Sequence, residues 1–160
     1  MICLLFILLF LPFNFNVLAE ELSIPRFVSL RSDTIYMRAG PGERFPIEWV
    51  YKRKNYPVQI IDSFEHWRKV EDVESTQGWI HKKMLTGKRN ALTKKNQRTP
   101  MYAKKNINSK ILFFFDGQSI VRLLKCSMSD IFCQVKYNEK KGYILKEQLF
   151  GILPNEEIDE

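Results

Sequence analysis

Apolar and polar residues alternate in short runs along this chain. Thr34-Ile35-Tyr36-Met37-Arg38, Val58-Gln59-Ile60 and Gln134-Val135-Lys136-Tyr137 all follow this pattern. Successive side chains of an extended strand point to opposite faces, so such runs predict half-buried strands. Turn-forming residues separate them: Gly40-Pro41-Gly42, Asn55-Tyr56-Pro57, Asp116-Gly117 and Glu139-Lys140-Lys141-Gly142. Short alternating segments between closely spaced turns predict small all-β units. No later stretch sustains a helical period with caps, so little helix is expected.

The pattern also repeats. Gln77-Gly78-Trp79-Ile80 through Gly87 returns as Lys141-Gly142-Tyr143-Ile144 through Gly151, an offset of 64. Trp67-Arg68-Lys69-Val70 returns as Phe132-Cys133-Gln134-Val135, and Met37-Arg38 as Tyr102-Ala103, both at 65. Two β units are therefore expected, at residues 26–86 and 91–151. Each is near the lower size limit for an independent core, which favours packing between them. Residues 152–160 form an acidic tail, expected to be mobile.

Composition narrows the class. The chain has 160 residues, a net charge of +7, 45% hydrophobic residues, and only 7 Gly and 7 Pro. These values fit a globular chain and exclude disordered and collagen-like ones. Residues 1–13 are apolar and uncharged. Val17-Leu18-Ala19 then places small residues before Glu20, the pattern of a cleavage site. Residues 1–19 read as a signal peptide, which predicts a periplasmic or secreted protein with no transmembrane span after processing. An uncleaved anchor is the alternative.

Tyr36-Met37-Arg38-Ala39-Gly40-Pro41-Gly42 followed by Phe45-Pro46-Ile47 resembles the opening of a bacterial SH3-like (SH3b) domain. Trp67-Arg68-Lys69-Val70, Gly78-Trp79-Ile80 and Met84-Leu85 resemble its later strands, in order and spacing. The second copy keeps Gly142-Tyr143-Ile144 and Gln148-Leu149 but has Lys104-Lys105-Asn106-Ile107-Asn108 in place of the Gly-Pro-Gly turn. Residues 26–155 as a whole are similar to exported tandem SH3-domain proteins of alphaproteobacteria. The resemblance implies two tandem small SH3-like barrels. It also implies a non-enzymatic module that binds cell-wall peptidoglycan or its stem peptides. A Gly-Pro-Gly turn would supply positive φ at glycine and a preset φ at proline.

Cys126 and Cys133 would lie on adjacent antiparallel strands, close enough for a disulfide, and export favours oxidation. Two buried free thiols, or a zinc pair, are the alternatives. No nucleophile elbow, zinc-protease motif or phosphate-cradling glycine loop is present, so no enzyme activity, metal or cofactor is expected. Glu71, Asp72 and Glu74 are read as a solvated hairpin tip, and His66 and His81 as surface residues. The candidate ligand-binding residues are the aromatics Tyr36, Phe45, Trp67 and Trp79, whose flat rings suit extended peptides or sugars. A core role for Trp67 and Trp79 is the competing reading. Tyr51 and Tyr56 are weaker candidates.

Charge adds one feature. From Ser75 to Phe115 there is no acid, while Lys82, Lys83, Lys88, Arg89, Lys94, Lys95, Arg98, Lys104, Lys105 and Lys110 supply ten positive charges. A basic surface near the junction would suit an anionic envelope surface; scattered solubilising lysines are the alternative. The signal segment disfavours nucleic acid as a partner. An adaptor that docks an envelope protein's peptide or an envelope enzyme is the alternative to wall binding.

Overall fold

The computed structural model describes residues 22–160; the expected signal segment and Cys3 lie outside the described residues. The first unit contains β1 (Arg26–Leu30), β2 (Ile35–Arg38), β3 (Ile47–Tyr51), β4 (Pro57–Phe64), β5 (Trp67–Glu71) and β6 (Gln77–His81). A 3₁₀ turn at Lys82–Met84 and β7 (Leu85–Thr86) complete it. The second unit repeats the series as β8 (Asn90–Thr93), β9 (Arg98–Tyr102), β10 (Ile111–Asp116), β11 (Ile120–Cys126), β12 (Phe132–Tyr137) and β13 (Lys140–Leu145). A 3₁₀ turn at Lys146–Gln148 and β14 (Leu149–Phe150) follow, and then β15 (Ile158–Asp159).

All strand pairs are antiparallel, and the two sheets have one topology. Their orders are β3-β2-β6-β5-β4-β1-β7 and β10-β9-β13-β12-β11-β8-β14, with β15 added on β11. The expected all-β, two-unit, SH3-like architecture is thus observed. Each order is an open path ending on β3 or β10 at one side.

Alternation sets the inner face. In β2, Ile35 and Met37 are buried and Tyr36 points outward. In β6, Gly78 and Ile80 are buried between the half-buried Trp79 and His81. Leu30, Ile35, Met37, Val58, Ile60, Val70 and Ile80 form the first core. Met101, Phe115, Val121, Leu123, Val135 and Ile144 form the second, with the Cys126–Cys133 disulfide. These cysteines face each other across β11 and β12 with Cα atoms 4.5 Å apart, the spacing of a close antiparallel pair.

Three expectations are corrected. The equivalent of Met37 is Met101, not Tyr102. A Cβ on Gly78 would meet Met37 Cγ at 2.6 Å, and one on Gly142 would meet Met101 Cγ at 2.7 Å. The glycine therefore exists in each copy to admit a methionine, and the offset there is 64. The β12–β13 turn sits at Asn138 and Glu139, both at positive φ, one step earlier than the Glu139–Gly142 expectation. The acidic tail is not mobile. Ile158 enters the second core while β15 pairs with Lys125 and Cys126. Glu156 pairs with Arg89, Asp159 with Lys125 and Glu160 with Arg122, so apolar burial and opposite charge fix the tail together.

The units pack on each other. Leu92 of β8 joins the first core, and Ile120 and Phe150 pack against it. Phe27 and Phe150 meet edge to face, with ring centroids 5.1 Å apart.

Candidate binding groove

The outer face of β2, β5 and β6 carries the candidate site. Tyr36 and Arg38 project from β2 opposite the inward Ile35 and Met37. Trp67 of β5 pairs directly with His81 of β6, and their rings meet edge to face at 5.4 Å. Tyr36, Arg38, Glu43, Trp67, His81, Lys83 and Met84 line one groove of roughly 340 Å³. Tyr36 is 53% exposed there.

The loop beside the groove is built around Phe45. Its ring lies on Gly40, where a Cβ would be 2.5 Å away. Arg38 donates to the Phe45 carbonyl at 2.7 Å and the Glu43 carbonyl at 3.1 Å, fixing the loop to β2. Gly40 and Gly42 are absent from the positive-φ residues, contrary to the expectation for this turn. Close approach of the aromatic ring requires Gly40.

His81 closes the far end. Its Nδ1 accepts the Lys83 N–H at 3.2 Å and caps the 3₁₀ turn. Burial, reinforced by Lys83 and His66, holds the imidazole below its ordinary pKa. The neutral ring is therefore favoured, and its capping bond leaves Nε2 as the N–H position.

Of the four aromatics read from the sequence, the groove brings together Tyr36 and Trp67. Phe45 supports the adjoining loop, and Trp79 is half-buried on the same face between Arg38 and Lys69, outside the lining. Neither Trp67 nor Trp79 belongs to the buried core. Sequence reasoning missed Arg38, Glu43, His81, Lys83 and Met84 as lining residues. Alternation carried a signal for two of them: Arg38 lies two residues after Tyr36, and His81 two after Trp79.

The second unit fills the equivalent place. Tyr102 pairs with Tyr143 as Arg38 pairs with Trp79, and Phe132 faces Leu145 as Trp67 faces His81. Tyr102 and Phe132 are both buried and pack edge to face at 6.0 Å. An aromatic pair thus stands where the first unit keeps an arginine and an open tryptophan.

Four of the ten cations near the junction have an acidic partner among the described residues. Arg89 is a correction to the expected basic surface: its side chain is only 13% exposed and binds Glu156 and the Gly151 carbonyl. Lys95 pairs with Glu74, Arg98 with Asp116 and Lys105 with Asp130. Lys83 lies in the groove itself. Asp72 is also corrected. It is buried, accepts the Tyr51 hydroxyl at 2.9 Å, and accepts the Glu74 and Thr76 N–H groups. Burial, with Asp72 alongside, raises the Tyr51 pKa and pushes Tyr56 up to about 12.

Residues 31–87, which carry every groove residue, match the bacterial SH3 domain family. This segment is similar to bacterial SH3 domains. The match runs from just after β1 to just past β7. No curated protein matches the chain. Among solved structures, NlpC2 from Trichomonas vaginalis is 17% identical, covering 81% of this chain and 49% of its own, at a TM-score of 0.36. NlpC1 from the same organism is 17% identical, covering 82% and 47%, also at 0.36. The chain thus spans about half the length of these structures. Among the described residues, no helix is long and apolar enough to cross a membrane.

Proposed function

We propose that this protein is an exported, non-enzymatic binding module that holds peptidoglycan or its stem peptides in the groove of its SH3 domain. The observation that carries this reading is the convergence of Tyr36 and Trp67 on one groove, flanked by Lys83 and Glu43. Aromatic faces offer area to an extended ligand at little loss of side-chain entropy. Lys83 suits a carboxylate and Glu43 an ammonium, and a stem peptide presents both. The signal-like residues 1–19 support a periplasmic or secreted location, where such a ligand is met.

Co-sedimentation of the purified protein with cell-wall sacculi tests the proposal. Saturable binding that weakens in Tyr36→Ala and Trp67→Ala is expected. Absence of binding by the folded wild-type protein would refute wall recognition.

A further inference from the structure

The two sheets end in equivalent edge strands, and these edges differ. β3 pairs only with β2, and β10 only with β9. In β3 the charge of Glu48 interrupts Ile47, Trp49 and Val50, and such charges blunt an edge against strand addition. In β10, Ile111-Leu112-Phe113-Phe114-Phe115 runs without a charge, proline or glycine. Phe115 is buried, but Ile111, Phe113 and Phe114 remain 39%, 40% and 39% exposed. A free edge of this composition is a template for another strand.

The charges at its two ends decide which strand suits it. Lys110 precedes the run and Asp116 follows it. Lys110 has no ion-pair partner among the described residues. Asp116 has Arg98 at 3.9 Å, with both side chains largely exposed, a contact of little energy. A second β10 laid antiparallel about a two-fold axis at Phe113 brings Lys110 of each copy opposite Asp116 of the other. The apolar runs then cover each other. Leu112 is the extra residue where the register against β9 shifts.

We propose that the chain self-associates as a two-fold dimer through antiparallel pairing of β10 with β10 of a second copy. A two-fold interface must be self-complementary, and this segment is so in both its apolar centre and its charged ends.

Sedimentation of the purified protein over a concentration series tests the pairing, using wild type, Lys110→Glu, Asp116→Lys and the double variant. Each single change places like charges opposite each other twice per dimer. Opposite charges across a strand pair attract and like charges repel, so each single variant should dimerise roughly tenfold more weakly. The double variant restores opposite charges and should return to near the wild-type association. All four should give the same circular dichroism spectrum, since both side chains are exposed. A wild type that remains monomeric at every concentration would overturn the proposal. So would a dimer indifferent to the single changes, or single losses that the double variant fails to repair.

Discussion

Asn90 Nδ2 donates to Ser29 Oγ at 2.9 Å in a buried contact between β8 and β1. Ser29 in turn donates to the Lys88 carbonyl at 2.7 Å, so one hydroxyl ties the first unit to both the connecting segment and the second unit. Arg53 adds a contact to the Gln118 carbonyl at 2.8 Å. Buried polar groups depend on their partners, which makes this junction specific as well as apolar.

Asn90→Ala should therefore lower the stability of the whole protein by about 1–3 kcal/mol, the range for a broken buried hydrogen bond. All three tryptophans lie in the first unit, at 49, 67 and 79. Tryptophan fluorescence thus reports on that unit, while circular dichroism reports on both. Coincident urea transitions are expected in the wild type, and a fluorescence midpoint lowered by a change made in β8. An unmoved fluorescence transition would show that the units do not support one another.

Ile158 is 5% exposed in the second core, although it lies in a segment rich in acids. Ile158→Ala should destabilise the protein by about 2–4 kcal/mol, as for other buried isoleucine truncations. Glu156→Gln should act separately, by weakening the partner of the half-buried Arg89. Thermal unfolding of both variants checks this. Melting unchanged by Ile158→Ala would return the tail to a passive role.

The Cys126–Cys133 bridge closes a short loop, so its expected contribution is about 2–3 kcal/mol. Reduction, or replacement of both cysteines by alanine, should lower the unfolding free energy from denaturant titration by that amount and leave the fold intact. Protein lacking residues 1–19, isolated without reductant, should show no thiol reactive with maleimide. Two reactive thiols under native conditions would contradict the bridge.

Groove binding should respond differently to its two kinds of residue. Tyr36→Ala removes an exposed aromatic face and should weaken sacculus binding by about 1–3 kcal/mol at any salt concentration. Lys83→Gln removes a solvent-screened charge, and the Debye length is ~10 Å at 0.1 M salt, so its effect should fade as salt rises. Binding titrations at low and high salt separate the two. Identical salt responses would argue against this division of roles.

His81 adds a pH dependence. Its folded pKa lies below the unfolded value of 6.5, so the fold opposes protonation. The stabilisation is present above 6.5 and is lost as the pH falls through the lower folded value. Protonation also removes the Nδ1 acceptor of the Lys83 N–H. Groove binding and the stability of the first unit should decline modestly on acidification through that window. In His81→Gln this step should be missing, and an unchanged pH profile would remove His81 from the groove's behaviour.

Local chemistry made the strands, the repeat and the two-unit architecture legible in the sequence. Alternation places Ile35 and Met37 on one face and Tyr36 on the other in any strand that pairs there. The cysteine pair was legible for the same reason, since a short hairpin sets its partners across one ladder. Tertiary structure alone decided which outward residues share a groove. Trp67 and His81 meet because β5 and β6 pair in one register, and that register is fixed by packing across the sheet. It also decided the fate of charge. Arg89 and Glu156 are 67 positions apart and become partners only when Ile158 is buried in the second core. The sequence therefore determined which faces the strands possess. Long-range packing determined which faces stay open, because burial of one side chain depends on residues far away along the chain.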